Sequence, residues 1–430
     1  MHVLILGGYG LIGTAICKQL LTDGYDVSGL GRSAKKGASL LPSVNWFQAD
    51  ISTLTNPNDW DVFLENIDIV VNASGALQNG LRDNLVAVQK DAITALIGAC
   101  AKTPIQHFVQ ISAPGVDAAS SSLFYRTKAA ADMALKSSSV PWTIFRPGLV
   151  ISPHAYGGTS LIRMLAAMPY IQPIVMGDSC VQTVSIEDVA KAVSTAISER
   201  MTEQDIDLVE VNSHTLLDVT LKFRQWLGFG APKFIWKLPL ILGSFTAGFA
   251  DILGWLGWRS ALRTTSLKVL KDGVQGKPET WKSLGQGDLK SLTKTLFDLP
   301  STKQERLYAR AMLAFPFLLA VLSGFWIISG VIGFWQQEWA VNTLRDVFGE
   351  TRAKIFVRTG SVMDILIGCA LLFRPSVRLA CLGSILLSLG YLSASAWFTP
   401  QLWSDPLGPM VKVFPAMALA VIVASLMEDR

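Results

Sequence analysis

The sequence predicts an α/β fold in its first half, a doubly wound parallel sheet, followed by an all-α domain of four transmembrane helices. Strand-like and helix-like segments alternate over about the first two hundred residues, as βαβ units require. A glycine-rich turn follows the first strand. Long uncharged runs dominate about the last hundred and twenty residues and raise the mean hydropathy of this 430-residue chain to +0.38.

The glycine-rich turn connects the first predicted strand to the first helix. The strand at residues 3–6 runs into Gly7 and Gly10, and a helix-like stretch at residues 14–21 follows Gly13. Glycine allows a tight turn, a close approach of the backbone to a pyrophosphate and close packing of helix on strand. The helix N-terminus offers backbone N–H groups and a partial positive charge. We therefore predict a dinucleotide site whose phosphate-binding residues are Gly7, Gly10, Leu11, Ile12 and Gly13.

The end of the second strand, at residues 27–30, indicates which dinucleotide binds. NAD sites place an Asp or Glu here to accept hydrogen bonds from the ribose 2′-OH, whereas this chain has Gly31, Arg32 and Ser33. A small residue followed by Arg leaves room for a 2′-phosphate and supplies a forked cation to hold it. The sequence therefore favours NADP(H) over NAD(H). The alternative is that Arg32 is an ordinary solvated loop residue.

Further residues follow strands at the edge where a dinucleotide would lie, because ligands bind at the carboxyl ends of strands in such sheets. Asp50, after the third strand, is expected to hydrogen-bond the adenine amino group. Asn72 and Ala73, after the fourth, are expected to lie along the cofactor, with a turn role for Asn72 as an equal alternative. The later strands are predicted at residues 45–48, 69–72, 107–111 and 143–146, with helices at 86–101 and 127–135 between them.

Composition and charge exclude several classes of protein. A net charge of +4 on 430 residues gives no basis for nucleic-acid binding. Five cysteines without a Cys-x-x-Cys pair predict free thiols in a reducing compartment, and four histidines without metal-ligand spacing predict no metal site. The chain begins with a predicted strand and not with a signal peptide, so we expect the nucleotide domain to stay in the cytoplasm.

The predicted domains are a nucleotide-binding domain at residues 1–230, an interfacial or lid segment with linker at 231–305 and a membrane domain at 306–430. Within the linker, residues 238–258 are apolar apart from Asp251 and rich in Gly and Trp. We expect an interfacial or lid segment here, with a membrane span as the alternative. Residues 259–294 carry many Lys and few acids, as expected close to anionic lipid.

Four apolar runs in the membrane domain predict four spans. A bilayer crossing needs about twenty residues, so two of the shorter runs would need flanking residues to complete the span. They lie at residues 311–335, 359–373, 379–398 and 413–427. The connection at 374–378 is short, so the second and third spans should form an antiparallel hairpin. Basic residues lie before the first span and in the connection at 374–378, so the positive-inside rule predicts that both segments lie on the cytoplasmic side of an inner (cytoplasmic) membrane. The basic residues of the loop between the first two spans do not follow this rule.

Asp364 is the one acid inside a predicted span. A carboxylate there is costly unless it is paired or faces a cavity, so Asp364 is a candidate functional residue. The alternative is that this span starts deeper and Asp364 lies near the membrane interface.

The nucleotide-binding part resembles the atypical short-chain dehydrogenase/reductases (SDRs), in particular the branch that includes the nucleotide-binding accessory subunit of respiratory complex I. The resemblance rests on the glycine turn and on Ala49-Asp50, Gln110-Ile111-Ser112-Ala113, Arg126-Thr127-Lys128-Ala129, Arg146-Pro147-Gly148 and Val184-Ser185-Ile186-Glu187-Asp188-Val189-Ala190. It implies a Rossmann-type fold and a contact of Arg146 with the nicotinamide end of the cofactor. The tail resembles a DoxX-like four-helix domain, with Asp405-Pro406-Leu407-Gly408-Pro409 before the last span.

The resemblance also implies catalytic residues. In this superfamily a Ser, a Tyr and a Lys four residues after the Tyr carry the reaction, and the Tyr passes a proton while hydride moves. Ser112 and Lys128 match two positions, but Phe124 stands four residues before Lys128 and Tyr125 is one place off. Three alternatives stay open. Tyr125 reaches the site through a shifted helix, another acid such as Ser112 or one near His154 replaces it, or the domain binds nucleotide without rapid turnover.

Two hypotheses of function follow. The first is a membrane-anchored, NADP(H)-dependent oxidoreductase acting on a small lipophilic substrate such as a quinone, an isoprenoid or a lipid. The second, which Phe124 favours, is a non-catalytic NADP(H)-binding sensor or assembly module of a membrane complex. The expected partners are the lipid bilayer and either the lipophilic substrate or a membrane complex, and nucleic acid is not expected.

Overall fold

The computed structural model describes residues 1–76, 79–80, 84–258 and 263–427. The basic segment predicted at residues 259–294 is therefore described from residue 263 onward. The chain divides into two compact units. The first consists of residues up to Ile252 and of residues 263–306, and the second of residues 253–258 and of those from Leu307 onward.

A seven-stranded parallel sheet forms the centre of the first unit. The strands of the described chain are β1 (His2–Leu6), β2 (Asp26–Gly31), β3 (Asn45–Gln48), β4 (Ile69–Asn72), β5 (His107–Ile111), β6 (Trp142–Pro147), β7 (Leu149–Ile151), β8 (Ile171–Val175), β9 (Cys180–Val181), β10 (Thr183–Ser185), β11 (Gln204–Leu208), β12 (His214–Thr215) and β13 (Phe234–Leu238). The large sheet has the order β11-β6-β5-β4-β1-β2-β3, and β7 with β10, β9 with β12 and β8 with β13 form smaller ladders.

Helices cover the sheet and make up most of the second unit. Those of the first unit are α1 (Leu11–Thr22), α2 (Ala34–Leu40), α3 (Asp61–Leu64), α4 (Ala92–Cys100), α5 (Leu123–Lys136), α6 (Gly157–Ala166), α7 (Ile186–Ser198), α8 (Leu216–Trp226), α9 (Leu240–Trp255), α10 (Thr264–Asp272), α11 (Glu279–Lys282) and α12 (Leu292–Asp298), the last turn of α9 belonging to the second unit. The others are α13 (Lys303–Trp335), α14 (Gln337–Phe348), α15 (Glu350–Leu372), α16 (Val377–Phe398) and α17 (Val413–Leu426).

Strand β1 contributes to hydrophobic cores on both faces of the sheet. Val3 and Ile5 pack with residues of α1 and α7, whereas Leu4 and Leu6 pack with residues of α4. A central strand that is apolar on both faces requires helices on both sides, because successive side chains point in opposite directions. The predicted doubly wound parallel sheet is confirmed.

The six predicted strands of this sheet agree with the structure, whereas its seventh strand, β11, was not predicted, and the predicted helices differ at their starts. Each predicted strand end falls within one residue of the observed end. The helix predicted at 86–101 is α4 preceded by a π-helical turn at Ala87–Asp91. The helix predicted at 127–135 begins earlier, at Leu123, which extends α5 by one turn beside the candidate site.

The second unit contains three long apolar helices and the shorter apolar helix α17 within its described residues, and the predicted all-α domain is confirmed. Lys303–Trp335, Glu350–Leu372 and Arg374–Phe398 are long and apolar enough to cross a bilayer. Helix α17 has 14 residues, fewer than the about twenty that a crossing needs. Polar helix α14, which the sequence analysis did not predict, lies between the first two spans.

A short segment just after α9 also belongs to the second unit. The indole Nε1 of Trp258 donates to Leu372 O at 2.7 Å, and Arg374 N donates to Leu256 O at 3.0 Å. These bonds tie the segment to the turn between α15 and α16.

Helix α9 leaves one apolar face uncovered in the first unit. Ala247 is fully buried, whereas Phe245, Phe249 and Ile252 are 77%, 59% and 63% exposed. Their spacing of four and three residues places them on one face of the helix. Two aromatic rings and an isoleucine therefore form a continuous apolar strip.

Candidate dinucleotide site

The glycine turn after β1 has the geometry of a phosphate cradle. Gly7 has a φ of +70°, a conformation that glycine adopts without strain. A Cβ on Gly13 would overlap the carbonyl oxygen of Gly7. Gly10 N donates to Gly7 O at 2.8 Å, which closes the turn. A side chain at Gly7, Gly10 or Gly13 would crowd backbone atoms of this turn or of the loop after β4. The backbone of the turn is therefore the surface that a bound phosphate would meet.

Helix α1 begins immediately after this turn, and its N-terminus has no side-chain cap. Gly10 is the N-cap and lacks a side chain to accept from the first N–H groups. Thr14 N makes the first intrahelical bond, to Gly10 O at 2.9 Å, so the N–H groups of Leu11, Ile12 and Gly13 precede the helical ladder. This cradle fits the pyrophosphate of a dinucleotide.

The end of β2 carries a cation where an NAD site has an acid. Arg32 follows Gly31 and is exposed, and Ser33 caps α2 by accepting from Lys36 N at 3.2 Å. The Tyr9 ring covers Gly31 so closely that a Cβ on that glycine would overlap it. Arg32 therefore directly follows the end of β2, and its contact with the ribose 2′ group stays a prediction.

Asp50 and Asn72 both shape turns at the strand ends. Asp50 Oδ1 accepts from Ser52 N at 3.0 Å and from Ser52 Oγ at 2.8 Å. Asn72 is 2% exposed, donates to Gln110 Oε1 at 2.9 Å and accepts from Ser74 N at 3.1 Å. Ala73, in the turn that Asn72 holds, faces Gly7. The turn role of Asn72 is present in the structure, and the cofactor contacts of these residues stay predictions.

Lys128 is a residue of α5, and its buried ammonium group lies at the end of β5. Its Nζ donates to Ile111 O at 2.9 Å, and burial lowers its pKa to about 8. One turn earlier on α5, the Phe124 ring centroid lies 5.8 Å from Lys128 Nζ. The position that would carry the phenol in the resembled family is therefore an apolar ring on the same helix face.

Tyr125 lies on a different side of α5. It is 2% exposed, with its ring centroid 5.4 Å from that of Phe124. Because α5 begins at Leu123 and runs regularly through Lys128, no bulge turns Tyr125 onto the face of the lysine. His154 is exposed in the loop after β7.

The hydroxyl of Ser112 takes part in a buried polar network. It donates to Asp132 Oδ2 at 2.6 Å and accepts from Arg146 at 3.3 Å. Arg146 also bonds Asp132 Oδ2 at 2.9 Å and Asp205 Oδ1 at 2.6 Å. Burial raises the pKa of Asp132, against the opposing effect of Arg146. Ser112 and Arg146 are thus brought together, with their polar atoms directed to carboxylates.

The sequence analysis missed both carboxylates of this network. Asp132 follows Lys128 by four residues and therefore lies on the same face of α5, which is a signal that the spacing contains. Asp205 lies on β11, the neighbour of β6. Its pairing with Arg146 depends on a strand order that no local pattern reveals.

The far end of α9 is joined to the loop after β4. Arg263 Nε bonds Asp251 Oδ1 at 2.8 Å, and the same guanidinium donates to Asn79 O at 3.1 Å. The loop after β4 follows the strand end that faces the glycine cradle. The apolar helix and the candidate site are thereby connected through one buried arginine.

Two family models match the chain. Residues 7–200 match an NAD(P)H-binding family, and residues 323–421 match the DoxX-like family. The protein therefore combines an NAD(P)H-binding domain of Rossmann fold with a C-terminal DoxX-like domain, and it is membrane-associated. The NAD(P)H-binding and DoxX-like parts of the resemblance inferred from the sequence are confirmed.

Two curated proteins are similar to the N-terminal part. The photosystem II assembly factor Ycf39 of Trieres chinensis is 29% identical over 197 residues, which cover 44% of this chain and 58% of that protein. An uncharacterized chloroplastic protein of Arabidopsis thaliana is 24% identical over 174 residues, covering 39% and 57%. The chain thus spans less than two thirds of the length of either relative.

Solved structures similar to this chain share its fold. A dTDP-glucose 4,6-dehydratase of Bacillus anthracis, in complex with NAD, has a TM-score of 0.53 at 13% identity and covers 72% of this chain and 96% of its own. A UDP-glucuronic acid 4-epimerase of Bacillus cereus, in complex with UDP-glucuronic acid and NAD, has a TM-score of 0.50 at 17% identity, with coverages of 73% and 100%. At these identities the similarity concerns the fold alone.

Proposed function

We propose that this protein is a membrane-anchored NADP(H)-binding module that supports the assembly or regulation of a membrane complex and does not act as a carbonyl reductase. The observation that carries the proposal is the chemistry beside Lys128. Phe124 has no proton to give, and the Ser112 hydroxyl donates to Asp132. A dinucleotide held here would lack the phenol that passes the proton in carbonyl reduction by the resembled family. The similarity to a photosystem II assembly factor supports an assembly role.

The preference for NADP(H) over NAD(H) is part of this proposal. Arg32 stands immediately after β2, and the Ser33 side chain is occupied as a helix cap. A guanidinium in this place would hold the 2′-phosphate with two hydrogen bonds. When bound, the cofactor would supply a hydride donor or acceptor; the residues of this chain would hold its phosphates and its ribose.

We further propose that the protein lies in an inner, cytoplasmic membrane with its nucleotide domain in the cytoplasm. The apolar face of α9 and the exposed Phe234 and Trp236 of β13 would lie in the lipid interface. Exposed Lys268 and Lys271 of α10 follow in the chain, where they would meet anionic lipid headgroups.

A second candidate function is the reduction of a lipophilic substrate such as a quinone. The observation that favours it is the connection from Asp251 through Arg263 to the loop after β4, which links an apolar helix to the candidate site. A quinone could take its proton from water or from the bilayer interface after hydride transfer, so the absence of a phenol at Phe124 would not prevent turnover.

Phe124→Tyr separates a carbonyl reductase from a binding module. Under the proposal the wild-type protein in detergent binds NADPH more tightly than NADH, measured by cofactor fluorescence, and neither short-chain quinones nor carbonyl compounds oxidise the bound NADPH. Phe124→Tyr restores the missing phenol one turn from Lys128, and we expect it to leave NADPH affinity within about twofold.

The matched control is Phe124→Leu, which changes the ring without adding a proton donor. Rapid oxidation of NADPH by quinones in the wild type would establish the second candidate and overturn the first. Carbonyl reduction that appears only in Phe124→Tyr would mean that the site retains the geometry of a reductase and lost its proton donor.

A further inference from the structure

A carboxylate lies inside the helical bundle of the second unit, where three helices meet. Asp364 of α15 is 5% exposed. Its Oδ2 accepts from Ser329 Oγ of α13 at 2.8 Å, and its Oδ1 accepts from Tyr391 OH of α16 at 2.8 Å. Eight residues separate Asp364 from the end of α15 at Leu372, about 12 Å along the axis. Asp364 thus lies well within the span and away from its ends.

No cation pairs with this carboxylate within the residues that the structure describes. Arg358, six residues earlier on the same helix, donates to Gln337 Oε1 at 3.3 Å. The charged residues of α14, which packs along α15, are exposed, and α13 beyond Arg310 and α17 contain none. On α16, Arg378 donates to Met427 O at 2.7 Å. Tyr391 is the ionisable group that faces Asp364.

The helices approach too closely around Asp364 for an organic ligand. A Cβ added to Gly330 of α13 would lie 2.5 Å from Ser361 O and 3.1 Å from Asp364 Cβ. One added to Gly360 would lie 3.0 Å from Tyr391 OH. Tight contacts on both sides leave room for a proton and exclude a quinone or a lipid headgroup.

Further buried hydroxyl groups lie on the same face of α16. Ser388 and Ser395 are 1% and 6% exposed, and the Oγ atom of each lacks a hydrogen-bond partner within the described chain. They stand three residues before and four residues after Tyr391, so all three side chains share one helix face. Unpartnered hydroxyls are costly inside a span, and this row places two of them on the helix face that carries Tyr391.

We propose that Asp364 is a proton-binding site of the membrane domain. An ionised carboxylate that is stabilised only by two neutral hydroxyls would not recover its lost hydration, so the neutral acid is the resting form. Its O–H then donates to Ser329 or Tyr391, whose hydroxyl turns to accept. On release the carboxyl O–H bond breaks, the proton moves to a water molecule, which becomes hydronium, and the carboxylate keeps both hydroxyl donors.

Infrared spectroscopy of the full-length protein in lipid nanodiscs tests this site. The protonated acid has a carbonyl stretch distinct from that of a carboxylate. We expect this band at neutral pH in the wild type, its reversible loss as the pH rises toward about 10, and its absence in Asp364→Asn. The amide keeps the size of the side chain and can hydrogen-bond both hydroxyls, so the bundle should remain folded.

The matched control is Asp346→Asn, an exposed acid of α14, which should retain the band. A spectrum that Asp364→Asn leaves unchanged at every pH would mean a permanently ionised carboxylate. A band that persists to about pH 10 would mean a static hydrogen bond. Either result overturns the proposal. NADPH affinity should be equal in wild type and Asp364→Asn, so failure here is distinct from failure of the nucleotide-binding proposal.

Discussion

Lys128 is a buried amine whose charge depends on pH close to neutrality. It is 8% exposed, its Nζ donates to Ile111 O, and its pKa is lowered to about 8 because burial removes it from water. Asp132 favours the charged form, and Arg146 opposes it. A lysine in this state holds a cofactor best when it is protonated.

We therefore expect the NADPH affinity of the wild-type protein to fall about tenfold between pH 7 and pH 9.5, as Lys128 loses its proton. Binding raises the pKa of a cation that contacts phosphate or ribose oxygens, and loss of the proton therefore weakens binding. Lys128→Met should bind weakly at pH 7 and show a flat profile. The measurement is a fluorescence titration across the pH range.

Lys18→Met, on the exposed side of α1, is the control and should keep the wild-type profile. A pH dependence that survives in Lys128→Met would assign it to another group.

Ser112 illustrates what single residues reveal before a structure is known. Its place beside Lys128 follows from the motif, because Ser112 directly follows β5 and Lys128 lies on α5, the next helix along the chain. The direction of its hydroxyl does not, since Asp132 lies twenty residues away and Asp205 lies on another strand. Residue type predicts which chemistry is available; hydrogen-bond partners decide whether it is already used.

At the scale of elements, the pairing of β5 with β6 contains a buried histidine. The Nε2 of His107 lies 2.8 Å from Thr143 Oγ1, and its Nδ1 lacks a partner among the described residues. Burial lowers the pKa of His107 from 6.5 to about 4. The folded state therefore holds this imidazole neutral, whereas the unfolded chain would protonate it below about pH 6.5.

This pairing should make the protein acid-labile. Because the pKa is lower in the folded state, the contribution of His107 to stability is complete above about pH 6.5 and is lost as the pH falls through about 4. The expected loss of unfolding free energy is about 3 kcal/mol. His107→Gln, which cannot gain a proton, should flatten the dependence of Tm on pH in this range. A variant with the wild-type acid profile would exclude His107 as its cause.

Helix α9 makes a prediction about the membrane interface. A nitroxide at Phe249→Cys, with the exposed Cys180 and Cys369 replaced by Ser, should collide more often with lipid-soluble oxygen than with a water-soluble nickel complex. The same label at Met133→Cys, on the exposed face of α5, should collide more often with the nickel complex than with oxygen. Equal accessibility at both positions would place α9 in water.

Elements differed in how well the sequence predicted them. The strands were located closely because buried parallel strands are continuous apolar runs between turn residues. Helix α14 was missed, because a polar helix between two spans lacks the apolar pattern by which helices were found. The π-helical turn before α4 was missed for a different reason. A π-helical turn and an α-helical turn use the same residue types, so the sequence does not distinguish them.

At the scale of the whole molecule, the chain passes from the nucleotide-binding unit to the second unit and back before it enters the membrane helices. The residues 253–258 belong to the second unit, residues 263–306 to the first, and those from Leu307 onward to the second again. The sequence patterns suggested that one domain follows another along the chain. Hydropathy does not show that the chain enters the second unit, goes back to the first and enters the second again. The contacts of Trp258 with Leu372 and of Arg374 with Leu256 establish the first crossing.

This crossing constrains how the protein can be divided, by an investigator or by gene recombination. A stop codon after Arg306 would remove the turn that holds residues 253–258 and would leave the Trp258 indole without its acceptor. A gene fusion that exchanges one anchor for another meets the same obstacle, since it would have to replace two separate stretches at once. No single cut in the chain therefore separates the two units, and a version without the membrane helices would require redesign of the end of α9.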